Sequence, residues 1–321
     1  MILSAALTPD RPNNLHALRL LAAAAVVVSH AWPLAHGAGT AEPLVALTGH
    51  SLGGWAVAVF FFLSGLLIAQ SAARRTARAF WAARARRILP GLTAALLATL
   101  ALATLSGGAV TPPVAADYLL RGLTLVSLEH AIPGAFAANP MPLVVNGPLW
   151  SLFHEVAAYA LCFAAVRSGL VARWPLVLPA LALALWAAPD LPARADTFAP
   201  LFLCFAAGMT VWRFRDTWPV TWPVLAVLAA CAPVGWPLAV AALGQAVLLL
   251  AFRTPPLPLR ADLSFGVYLL GWPVAQYVLH LAPGLTAPHL AAVSLAATLP
   301  LAGASWHLIE RPSLTPRAHP A

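Results

Sequence analysis

Two ionisable side chains, Arg19 and His30, bracket the apolar stretch of NNLHALRLLAAAAVVVSH, residues 13–30. They are eleven positions apart. On a helix of roughly 3.6 residues per turn this puts them on nearly the same face, about 16 Å apart along the axis. An imidazole kept in a polar interior can serve as a general base, and ionisable groups inside a membrane usually face such an interior or a pathway. The plainer alternative has Arg19 reaching the inner headgroups and His30 capping the outer end of a span.

A carboxylate of the same kind occurs in NGPLWSLFHEVAAYAL, residues 146–161, where Glu155 has His154 beside it and Tyr159 four residues on. The spacing puts Tyr159 on the face of Glu155. A buried carboxylate must find a cation, a donor or a proton. His30 and Glu155 both belong to the outer halves of their segments, so a contact that orients the imidazole is possible. Ser64-Gly65 in FFFLSGLLIAQ, residues 60–70, allows two helix backbones to approach closely. Ser64 has no activating base near it in sequence and is a poor candidate nucleophile; it is grouped instead with donor binding. The stretch RRTARAFWAARARRILP, residues 74–90, carries six arginines. As a solvated loop it would only fix topology. As a site, Arg84, Arg86 and Arg87 would grip phosphates, which guanidinium groups hold in bidentate fashion.

The elements that must position these residues are membrane helices. The chain of 321 residues is 61% hydrophobic and 9% charged, with a mean hydropathy of +0.83. Water-soluble domains carry about a quarter charged residues. The sequence predicts an all-α, polytopic integral membrane bundle forming one domain over residues 1–321. About ten transmembrane helices are expected, at 15–35, 52–72, 88–107, 148–167, 174–189, 197–212, 220–233, 236–252, 264–282 and 287–308. Pro233 and Gly235 interrupt the seventh and eighth, which would also suit a re-entrant hairpin. The first apolar run reads as a retained span rather than a cleaved leader, because Arg19 abuts it.

Charge sets the orientation. All eighteen basic residues are arginines, and the net charge is +8. With the N-terminus inside, fifteen of them fall on the cytoplasmic face, Arg260 and Arg317 included, while Arg121 and Arg194 fall outside. This is the positive-inside pattern, so both termini are expected in the cytoplasm and the chain in the inner membrane. The basic balance is thereby explained without nucleic acid. Cys162, Cys204 and Cys231 are isolated in apolar runs, with no spacing that suits a disulfide framework or a metal. Recurrent Trp-Pro pairs mark helix starts at the interface. Trp272-Pro273 falls within a span and is expected to kink it.

Taken in order, the Arg19/His30 pair, VFFFLSGLLI, FWAARARRILP, NGPLWSLFHEVAAY, SFGVYLLGWPV and IERP resemble the blocks of the membrane acyltransferase 3 family. That family contains the O-acetyltransferases of bacterial cell-surface glycans, and the likeness covers about residues 11–312. It implies a bundle of about ten helices that passes an acyl group, usually acetyl from acetyl-CoA, to a hydroxyl of a carbohydrate or related acceptor. It makes His30 the catalytic base, Arg19 its required partner, Glu155 the acid of the WSLxxE block, and Arg84 and Arg87 the basic motif. No metal is implied. The chain departs from the family pattern at His16 and Ala58, where many members have Asp, and at Gly271, where many have His. A proton-coupled transporter or flippase of a glycan or lipid precursor is the rival reading.

Overall fold

The computed structural model describes residues 1–8, 11–125, 131–142, 144–257, 259 and 261–314. Arg260 and Arg317 therefore lie outside the described residues. Among the described residues eleven helices of ten or more residues follow one another: α1 (Leu15–His36), α2 (Leu52–Arg74), α3 (Ala77–Leu105), α4 (Pro112–Thr124), α5 (Trp150–Arg167), α6 (Val177–Ala187), α7 (Ala193–Arg213), α8 (Trp222–Cys231), α9 (Trp236–Phe252), α10 (Ser264–Leu281) and α11 (Ala287–Ser305). Strands are absent among the described residues, which leaves two isolated bridge pairs.

Helices occur at all ten expected positions, and six are long and apolar enough to cross a membrane: α1, α2, α3, α5 with its preceding turn, α7, and α11 with its continuation to Leu314. The helices α6, α8 and α9 are shorter. A 3-10 turn at Ala232–Val234 separates α8 from α9, where Pro233 and Gly235 break the pattern.

Two expectations are corrected. The arginine-rich stretch is helix rather than loop, since α3 begins at Ala77 and not near residue 88. Ala and Arg are among the stronger helix formers, and the Thr76 hydroxyl accepts from the Ala79 N–H as a cap does. The second correction is α4, an amphipathic helix in the segment expected to connect the third and fourth spans.

The fold divides into two compact units, with four boundaries inside α1, α2, α3 and α5 and a fifth between α9 and α10. The first holds residues 1–19, 57–80 and 154–259. Here α2 and α7 meet backbone to backbone. A Cβ on Gly65 would lie 1.9 Å from the Phe205 carbonyl oxygen, and one on Gly208 would lie 2.1 Å from that of Phe62. Without an apolar solvent contrast between helices, such small-residue contacts are what packing in lipid relies on. Asn14 pins the entry to α1 against the end of α9. Its amide donates to the Leu250 and Pro255 carbonyls and to Thr254 Oγ1, and its oxygen accepts from the Leu257 N–H. A helix C-terminus has unpaired carbonyls to satisfy, and this side chain meets one of them.

The second unit holds residues 20–56, 81–153 and 260–321. Its centre is α10, in which every residue from Ser264 to Gln276 is buried. Pro273 lies inside this helix and has no N–H for the Leu269 carbonyl one turn earlier. The buried amide of Asn146 donates to that carbonyl instead, at 3.0 Å. Gln276 donates to the Met141 and Val144 carbonyls, and Asn139 donates to Gln276. Side-chain amides thus fasten Asn139, Met141, Val144 and Asn146 along α10.

Candidate active site

His30 lies on α1, in the second unit, and is partly buried. Its imidazole meets the Trp272 indole edge to face, with ring centroids 4.9 Å apart and planes 77° apart. Within this unit neither ring nitrogen has a hydrogen-bond partner among the described residues. Val27, one turn earlier on α1, fills the space above Gly271: a Cβ at position 271 would lie 2.3 Å from Val27 Cγ2. A larger side chain at that position would therefore require Val27 to shift.

The same unit contains Arg87. Its Nη2 donates to Asp262 Oδ2 at 2.6 Å and its Nη1 to Glu310 Oε2 at 3.4 Å. Asp262 and Glu310 are buried, and the guanidinium lies 5.4 Å from the centre of the Phe265 ring. Glu310 arrives at this position through a π-helical turn, Trp306–Glu310, that follows α11. Turns of this type re-aim the side chains they carry. Ser305 and Ser264 each hold one carboxylate, donating to Glu310 and Asp262 respectively. Arg84, three residues before Arg87 on α3, is partly buried, whereas Arg86 is exposed.

In the first unit Glu155 accepts on one oxygen from both Ser64 Oγ, at 3.1 Å, and the Tyr159 hydroxyl. The i, i+4 spacing does bring Tyr159 and Glu155 together. Arg19 projects towards Phe60, with its guanidinium carbon 6.0 Å from the ring centre. His154 is fully buried and engaged elsewhere: its Nε2 lies 3.1 Å from Thr197 Oγ1, and its ring stacks on Phe198. Its neighbour in sequence thus faces a different way, as adjacent positions on a helix must.

Three residues of these clusters, Asp262, Glu310 and Asn146, were not singled out from sequence, and Trp272 was marked there only as part of a kink. Glu310, Asn146 and Trp272 lie in the IERP, NGPLW and GWP blocks, which was the available signal. Asp262 carried none, because its significance depends on a partner 175 positions away. Among the described residues no three His, Cys, Asp or Glu side chains gather as metal ligands would.

A family model described as an acyltransferase domain matches residues 13–307. The chain belongs to the acyltransferase 3 family. It is similar to an O-acetyl transferase of Shigella phage Sf6, with 27% identity over 95% of this chain and 97% of that protein. It is also similar to nodulation protein 10 of Rhizobium leguminosarum bv. viciae, with 29% identity over 94% of this chain and 93% of that protein. No solved structure matches it. As a member of this family the protein is an acyltransferase for groups other than amino-acyl groups, and its long apolar helices are those of a membrane protein.

Proposed function

We propose that this acyltransferase moves an acyl group, acetyl in the simplest case, from acyl-CoA to a hydroxyl of a carbohydrate or related acceptor. His30 is the general base. It takes the proton of the acceptor hydroxyl as that oxygen attacks the thioester carbonyl. The C–S bond then breaks, and the imidazolium returns the proton to the leaving CoA thiolate. Attack by the imidazole itself, through an acyl-histidine, is the variant route. Glu155 is the second catalytic side chain, held by Ser64 and Tyr159, and Arg19 is the cationic partner on the helix of His30. Arg84, Arg86 and Arg87 form the basic stretch that meets the phosphates of the donor, with Arg84 and Arg86 making the direct contacts because the Arg87 fork is paired with two carboxylates. Ser64 contributes to the donor side through its bond to Glu155. In a ten-span arrangement with both termini in the cytoplasm, at the inner membrane, the arginine-rich stretch would lie on the face where the cell keeps its acyl-CoA.

The observation that supports this most directly is the His30 imidazole packed against the Trp272 indole inside an apolar helix. The phage relative is named for O-acetyl transfer, which favours acetyl and a hydroxyl. The test is to supply purified protein with radiolabelled acetyl-CoA and candidate glycans and to follow ester formation. His30→Ala is expected to abolish it, and Arg84→Ala with Arg86→Ala to raise the KM for the donor. Full transfer by His30→Ala would remove the base assignment.

A further inference from the structure

Trp272 is the side chain the second unit places against His30, and it is held on several sides. Its Nε1–H donates to the Val144 carbonyl at 2.8 Å, and the residue is 6% exposed. Gly147 lies flat against the six-membered ring. A Cβ there would come within 3.1–3.2 Å of Cζ3, Cδ2 and Cε3. The backbone beside the indole is fixed as well, because Asn146 satisfies the carbonyl that Pro273 leaves without a donor. On the far side of Trp272 in sequence, Gly271 admits Val27 of α1 and so sets how close the helix of His30 comes to α10.

We infer that Trp272 is a positioning residue for the catalytic imidazole, and that Val144, Asn146 and Gly147 form the strut that holds it. The inference rests on the reading of His30 as the base in acyl transfer. A histidine side chain has two rotatable bonds, and a general base must point a nitrogen at the proton it removes. An indole packed edge to face against the ring restricts the second rotation. Trp272 neither gives nor takes a proton in the step. Its role is to fix the direction of the imidazole.

The test compares kinetic constants of purified variants in one acetyl-transfer assay, with His30→Ala as the reference for lost chemistry. Trp272→Leu is expected to lower kcat by about tenfold to a hundredfold, the scale of a misplaced catalytic group, with KM for donor and acceptor within about threefold. Trp272→Phe keeps a flat ring and is expected to recover most of kcat. Gly147→Ala pushes on the indole and is expected to lower kcat similarly, and Trp272→Phe combined with Gly147→Ala to restore it, since the smaller ring vacates the crowded space. That recovery would not follow from a purely structural fault at position 147. An inactive His30→Ala beside a Trp272→Leu enzyme within about twofold of wild type overturns the inference and leaves the function standing. A loss carried wholly by KM overturns it too, making Trp272 a substrate contact. Full activity in His30→Ala removes the base assignment and the inference together. Should Trp272→Leu fail to accumulate in membranes, the Gly147 pair decides: recovery by Trp272→Phe supports the strut, and its absence refutes it.

Discussion

Ser64 Oγ donates to Glu155 Oε1 at 3.1 Å, which joins α2 to α5 inside the first unit. The Tyr159 hydroxyl donates to the same oxygen, so the carboxylate is held by two donors that cost the second oxygen nothing. Glu155→Gln keeps the volume and removes the charge. It is expected to lower kcat/KM for acetyl transfer by at least about a hundredfold, the scale of a lost acid–base group. Ser64→Ala and Tyr159→Phe each remove one donor to a charged acceptor and are expected to cost about tenfold. Wild-type rates in Glu155→Gln would exclude this carboxylate from the chemistry.

Arg87 bridges two buried carboxylates, and its removal would take an ion-pair partner from each. Breaking such a pair from one side costs about 3–5 kcal/mol. Arg87→Ala is therefore expected to lower the melting temperature of the detergent-purified protein markedly. Arg87→Lys should rescue little, because an ammonium lacks the planar fork that reaches two acceptors at once. Arg86→Ala, at an exposed position, is expected to change melting very little while weakening donor binding. Equal melting curves for all three variants would show that the Arg87 bridge does not hold the fold.

Asn146 and Pro273 are coupled through the Leu269 carbonyl. Asn146→Ala strands that buried acceptor and is expected to destabilise the protein by about 1–3 kcal/mol. Pro273→Ala supplies the missing backbone N–H, so the double variant is expected to lose less than Asn146→Ala alone. Denaturant titration of the three variants measures the coupling. Strict additivity would mean that the amide is not there to replace the missing helical bond.

The arginine distribution predicts that a reporter fluorescent only in the cytoplasm will light up when fused to either terminus. It also predicts that a cysteine placed at Gly39, in the turn after α1, will react with a membrane-impermeant maleimide added from outside. Labelling only after the cells are broken would reverse the orientation.

Much of the fold was legible because lipid imposes it: a backbone in hydrocarbon must satisfy its own polar groups, so apolar length marks a helix. That rule recovered helices at all ten expected positions. It missed α4, whose amphipathic face is not long and apolar, and it placed the start of α3 late, because charge in the arginine stretch concealed its helix-forming composition. The sequence also exposed Arg19, His30 and Glu155, since an ionisable group in an apolar run is conspicuous by its cost. The i, i+4 relation of Glu155 and Tyr159 followed from helical geometry alone. What tertiary structure decided was partnership across long stretches of chain. Asp262 and Glu310 became the counter-ions of Arg87, Asn146 the donor for a carbonyl on α10, and Trp272 the wall beside His30. Helical periodicity assigns each residue a face on its own helix and carries no information on which other helix that face will meet. Only packing, through glycines such as Gly65 and Gly271 that let backbones close on one another, makes that choice.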